Sequence, residues 1–306
     1  MSQDYSPSKN WTTRELLDWT EDYFRQRDLP SARLDAELLL ASALGVDRLG
    51  LLTKEFEQVV DEEARAVFRE FVKRRGLKEP VAYLTGEKEF YSLPFKVTPA
   101  VLTPRPETEH LVDEALAIAP DATRILDLGT GSGNIAVALA VNLPGARVTA
   151  VDISPQALEL ARENAELNNV AARIDFVPGD LCAALEPGTP PFDLVVSNPP
   201  YIAGAEEETL MDDVRLFEPR IALIDSRSPE SDGFGFYRVI LDEVAGRLVE
   251  NGALIVEVGE KQGAKVVKMF EEAGFTKTSI TRDYAKVPRI ISGQGLCQVV
   301  ASTASG

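Results

Sequence analysis

Three features on which large classes of protein depend are scarce or missing in this chain. It has a single histidine, His110, for which the sequence suggests no partners of a catalytic triad, and we expect this residue at the surface. Its two cysteines, Cys182 and Cys297, lie far apart, form no metal-binding or redox motif, and are expected to be structural. No apolar run approaches the roughly 20 residues that cross a bilayer, and the polar N-terminus has no signal pattern. We therefore expect a cytoplasmic protein without a membrane anchor or a metal site.

Positive charge is also scarce. The 306 residues contain 32 Lys and Arg against 49 Asp and Glu, which gives a formal net charge of −17. Residues 1–85 carry 13 basic and 16 acidic side chains, whereas residues 86–306 carry 19 and 33. Binding to duplex DNA depends on Lys and Arg that neutralise phosphates, so we expect no direct DNA binding. The hydrophobic content of 44% is that of a globular chain, and the length suits two domains.

The first 85 residues are predicted to form a helical domain. Thr12 and Glu15 have the spacing of a capping box and open the first helix. Leu34, Leu38 and Leu39 recur at helical spacing, which predicts that they share one face of the second helix. The predicted helices are 12–27, 31–45, 47–52 and 61–75.

Residues 86–103 read as a β-hairpin linker, and residues 104–306 as a domain in which strands and helices alternate. Such alternation implies a doubly wound, mostly parallel sheet of the α/β class. In these sheets ligands bind outside the C-terminal ends of the strands. The predicted strands are 124–127, 148–152, 174–177, 194–197, 253–258, 278–282 and 296–301. One predicted helix follows residue 109. The other predicted helices are 135–141, 155–168, 235–249 and 263–273.

A glycine-rich loop joins the first of these strands to its helix. It reads Asp127-Leu128-Gly129-Thr130-Gly131-Ser132-Gly133-Asn134, and its three alternate glycines allow a ligand to approach the backbone closely. The spacing differs from the dinucleotide fingerprint, G-x-G-x-x-G, although an NAD site remains the natural rival. Asp127 adds negative charge at the entrance of the loop, which opposes a pyrophosphate and favours a cationic amino group.

Acidic residues end the next two strands. Asp152 follows Gly133 by 19 positions, where a carboxylate accepts hydrogen bonds from both ribose hydroxyls. Asp180 and Leu181 follow the third strand and are expected to flank an adenine ring. Together with the glycine loop these residues indicate a nucleoside with a positive or neutral tail, and S-adenosylmethionine fits that description better than NAD.

The fourth strand ends in Asn198-Pro199-Pro200-Tyr201. Two consecutive prolines remove two N–H donors and fix two φ angles, so the turn is stiff and offers only acceptors. Those acceptors are the side-chain oxygen of Asn198 and the main-chain carbonyls, and Tyr201 is available to pack on a planar group. The turn therefore predicts chemistry on an amide or amino nitrogen, with all four residues binding the substrate.

With these motifs the chain resembles class I S-adenosylmethionine-dependent methyltransferases, and within them the HemK/PrmC family of protein-glutamine N5-methyltransferases. The resemblance runs from about residue 12 to residue 300. It is carried by 80–86, 101–109, the glycine loop, 198–202, 218–223 and 232–234.

The resemblance implies a Rossmann-like methyltransferase domain with a helical N-terminal domain that selects the substrate. It also implies methyl transfer from S-adenosylmethionine to the glutamine amide in the Gly-Gly-Gln motif of peptide-chain release factors. The cofactor would be held by Asp127, Gly129, Thr130, Gly131, Ser132, Gly133, Asp152, Asp180, Leu181 and Asn198. Asn198, Pro199, Pro200 and Tyr201 would bind the glutamine and act in catalysis. We expect the enzyme to be a monomer.

The chain departs from the family pattern at two places. Between Asp283 and Arg289 the family usually has a glycine-containing turn, whereas this chain has Pro288 there. Leu181 stands where some relatives use an aromatic residue, so apolar contact would replace stacking on the adenine.

Three alternative functions stay open at this point. A ribosomal-protein glutamine methyltransferase would share the same catalytic core. An adenine-N6 DNA methyltransferase would use the same turn but needs a basic face and an added recognition module. A non-catalytic binding module with the cofactor fold would bind S-adenosylmethionine without transferring its methyl group.

Overall fold

A computed structural model describes residues 10–54, 56–228 and 232–296, so the expectations for Cys297 and for the first nine residues lie outside it. The chain forms two compact units. One comprises Met1–Gly86 with Met211–Phe217, and the other comprises Glu87–Leu210 with Glu218–Gly306. The hairpin thus groups with the second unit, and a short segment after the proline turn groups with the first.

The secondary structure follows the predicted order. The helices are α1 Thr13–Arg25, α2 Ala32–Leu44, α3 Arg48–Thr53, α4 Glu62–Gly76, α5 Val81–Thr85, α6 Glu109–Ile118, α7 Asn134–Asn142, α8 Pro155–Leu167, α9 Asp212–Phe217, α10 Gly235–Val244 and α11 Gly263–Glu272. The strands are β1 Glu87–Phe90, β2 Leu93–Lys96, β3 Arg124–Leu128, β4 Arg147–Asp152, β5 Ile174–Pro178, β6 Phe192–Ser197, β7 Leu248–Glu257, β8 Phe275–Arg282 and β9 Pro288–Leu296. No helix within these described ranges is long and apolar enough to cross a membrane.

The helical unit is built around a core of its own. The capping box at the start of α1 is present, since Thr12 and Glu15 each bond the backbone of the other.

The prediction for α2 is wrong in part, because Leu34 and Leu38 are 42% and 37% exposed while Leu39 is fully buried. The buried residues of α2 are three alanines, two acids and two leucines: Ala32, Asp35, Ala36, Glu37, Leu39, Leu40 and Ala41.

One of those acids makes a buried ion pair. Asp35 Oδ2 accepts a hydrogen bond from Arg75 Nε on α4 across 2.8 Å, and both side chains are more than nine-tenths buried. Burial raises the pKa of Asp35, and the Arg75 guanidinium opposes that rise. Arg75 therefore serves the interior of the helical unit.

The second unit contains a seven-stranded sheet in the order β5-β4-β3-β6-β7-β9-β8. The pairs among the first five strands of that order are parallel, whereas β9 pairs antiparallel with both β7 and β8. The predicted mostly parallel, doubly wound sheet is confirmed, and so is the β1–β2 hairpin. The chain order reverses at β3, with β4 on one side and β6 on the other, and ligands bind at such switch points.

Two predicted boundaries are wrong. The helix expected over 235–249 ends at Val244, and Leu248 already begins β7. The strand expected over 296–301 lies earlier, at Pro288–Leu296, and residues beyond Leu296 are outside the described part of the chain. Proline is compatible with the first position of a strand, which explains why β9 can begin there.

Neighbouring residues along each strand face opposite apolar layers, as the period of a strand requires. Ile125, Leu194 and Ile255 join the layer covered by α6, α7 and the hairpin. Their neighbours Leu126, Val195 and Val256 join the layer covered by α10 and α11. Cys182 is buried in that second layer, as expected of a structural thiol.

Candidate active site

A cavity of about 420 Å³ opens at the C-terminal ends of β3, β4 and β6. That volume lies within the usual range of small-molecule sites. Most of the predicted site residues line it: Gly129, Thr130, Gly131, Ser132, Asp152, Asp180, Leu181, Asn198 and Pro200. Four others, Asp127, Gly133, Pro199 and Tyr201, are absent from its wall.

The glycine loop takes a conformation that requires glycine. Gly129 and Gly131 have φ angles of 74° and 55°, in the left-handed region, and a Cβ on either would meet nothing within 4 Å. Gly133 has a φ of 79°, and its Cβ would come within 3.0 Å of Ala161 Cβ on α8. The first two glycines therefore expose backbone to the cavity, and the third allows the close packing of two helices.

Asp152 holds the glycine loop from the neighbouring strand. Its Oδ2 accepts a hydrogen bond from Gly131 N across 2.8 Å, and its Oδ1 accepts one from Ser154 N across 2.9 Å. Burial raises the pKa of Asp152, and these backbone donors oppose the rise. The carboxylate thus lies in the cavity wall with its orientation fixed, and lone pairs remain for hydroxyl donors.

Asp127 lies behind the loop rather than in the cavity wall. It is fully buried, and its Oδ2 accepts a hydrogen bond of 2.6 Å from the Thr130 hydroxyl. Burial raises the pKa of Asp127 to about 7, and the Thr130 bond opposes that rise. Its Oδ1 has no hydrogen-bond partner among the described residues. Direct contact between Asp127 and a cationic amino group stays a prediction, and in the structure this residue supports Thr130.

Asp180 and Leu181 follow β5 and line the same cavity. Asp180 forms an ion pair with Arg227, which also lines the cavity. Leu181 has a φ of 46°, an uncommon conformation for a bulky residue. The ring of Phe236 lines the same cavity, and the Arg227 guanidinium lies 5.1 Å from its centroid. Sequence reasoning missed Phe236 and Arg227, because neither follows a predicted strand.

Asn198 is held by a chain of two hydrogen bonds. Its Nδ2 donates to Thr108 Oγ1 across 3.3 Å, and the Thr108 hydroxyl donates to Glu257 Oε2 across 2.5 Å. Thr108 and Glu257 are each 2% exposed. Burial raises the pKa of Glu257 to about 7, while the Thr108 hydrogen bond opposes the rise. Glu257 ends β7 just as Asp152 ends β4, so the acid at a strand end was the signal that could have identified it.

The side chain of Gln262 holds the end of the Asn198–Tyr201 turn by hydrogen bonds. Its Nε2 donates to the carbonyl oxygens of Tyr201 and Gly233 across 2.9 and 3.0 Å. Its Oε1 accepts from Gly259 N and from the Tyr237 hydroxyl. With all these groups satisfied, the amide fixes the end of the turn against the loop at Gly233.

The Tyr201 side chain packs against the apolar layer beneath α10 and α11. Burial raises the pKa of its hydroxyl, and the nearby Glu257 raises it further, whereas Arg289 and Arg105 act in the opposite direction. Because Tyr201 does not line the cavity, packing of its ring on a substrate amide stays a prediction. Pro199 is buried, and no hydrogen bond within the described ranges reaches its carbonyl oxygen.

The segment before α6 supplies another part of the cavity wall. Arg105 Nη2 donates to Glu218 Oε2 across 2.6 Å, which fixes the guanidinium at the edge of the cavity. Thr103 is buried in the same wall, and its Oγ1 has no hydrogen-bond partner in the described part of the chain. The wall thus offers a hydroxyl, two carboxylates, two guanidinium groups, exposed loop backbone and an aromatic ring. This set of groups fits a nucleoside that carries an amino-acid tail.

Two further predictions concern residues that do not line the cavity. His110 is not at the surface as expected, because its side chain is only 14% exposed and its ring lies edge-on to Tyr284 at 5.1 Å.

Asp283 and Arg289 pair across the turn that departs from the family pattern. Arg289 Nε donates to Asp283 Oδ2 across 3.0 Å, and Val287 N donates to Asp283 Oδ1. The turn is therefore closed by its aspartate and arginine without a glycine.

Comparison with known proteins decides the family. Residues 15–86 match the model of the PrmC N-terminal domain, and residues 108–217 match that of the methyltransferase small domain. A release factor glutamine methyltransferase of Geobacter sulfurreducens is 44% identical over 284 residues, which cover 93% of this chain and 97% of the relative. The chain belongs to the family of release factor glutamine methyltransferases. The family resemblance predicted from the sequence is thus confirmed.

Two more comparisons agree with that assignment. The release factor glutamine methyltransferase of Rhodopirellula baltica is 44% identical over 292 residues, covering 93% of this chain and 96% of the relative. The crystal structure of a methyltransferase from Pyrococcus furiosus superposes with a TM-score of 0.51 at 18% identity, covering 69% of this chain and 92% of that one. The second similarity shows the fold, which is that of a methyltransferase.

Proposed function

We propose that this protein transfers a methyl group from S-adenosylmethionine to the side-chain amide nitrogen, N5, of the glutamine in the Gly-Gly-Gln motif of peptide-chain release factors. The observation that carries the proposal is the 44% identity to release factor glutamine methyltransferases over 93% of the chain. The cavity beside an acceptor-only turn supports it independently, because a methyl donor and an NH2 group would meet there.

The residues of the cavity wall are proposed to bind the cofactor. The N–H groups and carbonyls of the glycine loop would face it, and Asp152 would accept hydrogen bonds from its ribose hydroxyls. Leu181 and Phe236 would pack against the adenine, since both are apolar side chains that line the cavity. When bound, S-adenosylmethionine supplies an electrophilic methyl group.

Asn198 and Pro199 are proposed to hold the target amide. An amide nitrogen is a weak nucleophile because its lone pair is delocalised into the carbonyl group. Two acceptors on its two hydrogens, Asn198 Oδ1 and the Pro199 carbonyl, would fix the NH2 group and favour lone-pair density on nitrogen. Alignment of that nitrogen with the donor then contributes to the rate, and effective molarity is worth roughly 7–11 kcal/mol in well-oriented systems. Pro200 keeps the turn rigid, and Tyr201 is proposed to contact the rest of the glutamine.

The helical residues 1–85 are proposed to select the target protein, with 86–103 as a linker and 104–306 as the catalytic domain. A release factor acts at the ribosome, so we propose that the enzyme works in the cytoplasm. The acidic charge of residues 86–306 disfavours duplex DNA as a partner, and a monomer is the proposed state in solution.

Parallel methyl-labelling assays with different substrates test the proposed target. The enzyme is incubated with methyl-labelled S-adenosylmethionine and, in parallel, with purified release factor, ribosomal proteins and an adenine-containing DNA duplex. Label on the release factor alone supports the proposal. Label on a ribosomal protein or on DNA would identify the corresponding alternative, and cofactor binding without any label transfer would indicate a binding module.

A further inference from the structure

Asn198 lies at one end of a hydrogen-bonded chain that connects three distant parts of the sequence. Asn198 follows β6, Thr108 directly precedes α6, and Glu257 ends β7. The contact between Asn198 and Thr108 spans 90 positions, and that between Thr108 and Glu257 spans 149. Asn198 and Thr108 line the cavity, whereas Glu257 lies behind the wall.

The direction of the chain follows from the number of hydrogens that each group has. A threonine hydroxyl carries one hydrogen, and an ionised carboxylate can only accept. The hydrogen of Thr108 therefore goes to Glu257, and its oxygen accepts from the NH2 group of Asn198. This bond fixes the NH2 end of the Asn198 amide toward Thr108, so Oδ1, at the other end of the amide, faces away from Thr108 and can accept from a ligand.

We infer that Glu257, acting through the Thr108 hydroxyl, is a positioning residue that keeps Asn198 Oδ1 directed at the target amide. The inference rests on the proposed function, which supplies an NH2 group as the substrate. Glu257 and Thr108 act on the orientation of Asn198, and Asn198 contacts the substrate.

Protonation of Glu257 would remove this orientation. A neutral Glu257 donates to Thr108, whose own hydrogen is then free to bond Asn198 Oδ1, and the amide presents its NH2 group to the substrate NH2. The charged groups that face Glu257 are Arg289 and Arg105, which favour the ionised form, and Glu107, which opposes it. The hydroxyls of Tyr201 and Tyr237 lie near the same carboxylate.

The pKa of Glu257, about 7, gives this arrangement a pH dependence. The ionised form is the active one, so activity is retained above that pKa. It is lost as the pH falls through it, approaching tenfold per unit below. A residue needed only for folding would not set this limb of the profile.

Variants at the two positions test the inference by kinetics. Thr108→Val removes the hydroxyl with little change of shape, and we expect kcat to fall at least about tenfold with the cofactor Kd within about threefold of the native value. Thr108→Ser restores the hydroxyl and should recover most of kcat. Glu257→Gln should lower kcat at pH 8 and give a profile without the acidic limb.

Thr20→Val serves as the matched control. Thr20 is fully buried in the helical unit, and its Oγ1 has no hydrogen-bond partner among the residues described. The change therefore removes another buried hydroxyl, in a residue that does not line the cavity. We expect kcat and the pH profile of this variant to match the native enzyme, and thermal unfolding shows whether each variant folds.

A second measurement does not depend on the identity of the target. In protein labelled with ¹⁵N at asparagine, the side-chain NH2 signal of Asn198 is identified by its loss in Asn198→Ala. We expect this signal to move as the pH is varied around 7, and to stay constant in Glu257→Gln and in Thr108→Val. Native enzyme that fails to methylate release factor would refute the proposed function, while the NMR titration would still decide the orientation. Native kcat and pH profile in Thr108→Val, with an Asn198 signal that does not titrate, would overturn the inference.

Discussion

Asp152 Oδ2 accepts a hydrogen bond from Gly131 N across 2.8 Å, and this contact fixes the glycine loop to the end of the neighbouring strand. Gly131 has a positive φ, and no atom lies within 4 Å of the position that a Cβ would take. Because no side chain packs there, the loop needs another contact, such as this hydrogen bond, to keep its backbone facing a ligand. The same carboxylate orients the loop, and we propose that it also accepts hydrogen bonds from the ribose of the cofactor.

Asp152→Asn should therefore weaken binding of S-adenosylmethionine by about 10- to 100-fold. Hydrogen bonds to a charged group contribute roughly 1.5–3 kcal/mol, and the substitution removes the charge while keeping the shape. Calorimetric titration of the cofactor measures the change. Asp175→Asn, at an exposed position on β5, is the control for loss of one negative charge. Equal affinity in the native protein and in Asp152→Asn would contradict the role given to this carboxylate.

Asn198→Ala should abolish methyl transfer, with a loss of at least about 100-fold in kcat, the size seen when one oriented polar group at a reacting centre is removed. Cofactor affinity should stay nearly unchanged, because Asn198 is only one of the residues expected to hold the cofactor, and the glycine loop and Asp152 are intact. Single-turnover kinetics with release factor and a cofactor titration give the two values. Asn142→Ala, on the exposed end of α7, should behave as the native enzyme. Methylation by Asn198→Ala at the native rate would show that the mechanism is wrong.

Arg75→Met should lower the free energy of unfolding by about 3–5 kcal/mol, because it leaves the Asp35 carboxylate buried without its partner. Urea denaturation measures the loss. The double variant Asp35→Leu with Arg75→Met should recover most of the stability, since it removes both charges. Lys73→Met is the exposed control in the last turn of the same helix, α4, with a side chain 71% exposed, and should change stability by less than about 0.5 kcal/mol. A loss in Arg75→Met no larger than in Lys73→Met would argue against a structural ion pair.

Asp127 should make stability fall as the pH rises from about 4 to about 7. Its pKa is about 7 in the folded protein and 3.8 as the ordinary value, so the folded state binds more protons than the unfolded state across that window. The free energy of unfolding then decreases with pH, by up to about 1.4 kcal/mol per unit from this group. It levels off above pH 7.

The comparison with Asp127→Asn isolates this contribution. Asparagine cannot titrate and still offers an oxygen to Thr130. The free energy of unfolding of the variant should therefore rise relative to that of the native protein as the pH rises from 5 to 7. Urea denaturation at several pH values without cofactor measures the difference. Parallel stability curves for the two proteins would mean that Asp127 is ionised throughout, with a pKa near its ordinary value.

The parts of the site that depend on consecutive residues were predictable from the sequence. Alternate glycines after a strand predicted the loop, and acids at strand ends predicted Asp152 and Asp180 in one wall. A parallel sheet brings the C-terminal ends of its strands to one edge, so local pattern was sufficient for them. Glu257 carried the same signal, but the role proposed for it depends on Thr108, a contact across 149 positions that spacing alone does not reveal.

The errors have similar physical reasons. Leu34, Leu38 and Leu39 were expected to share one face of α2, but only Leu39 is buried. The buried face also holds the ion-paired Asp35, which hydrophobic spacing alone does not place there. The predicted helix over 235–249 ran on into apolar residues that belong to β7, because short apolar stretches fit either structure. In β9 the buried pair Ile290 and Ile291 is followed by Ser292, Gly293 and Gln294, a composition that obscured the strand.

The most direct test of the central claim is mass mapping of the methylated product. Native enzyme is incubated with S-adenosylmethionine and purified release factor, the factor is digested, and the peptide that contains Gly-Gly-Gln is fragmented. We predict a single methyl group on the side-chain nitrogen of that glutamine, and none when Asn198→Ala replaces the native enzyme. An unmodified Gly-Gly-Gln peptide beside a methylated glutamine in ribosomal protein would contradict the claim.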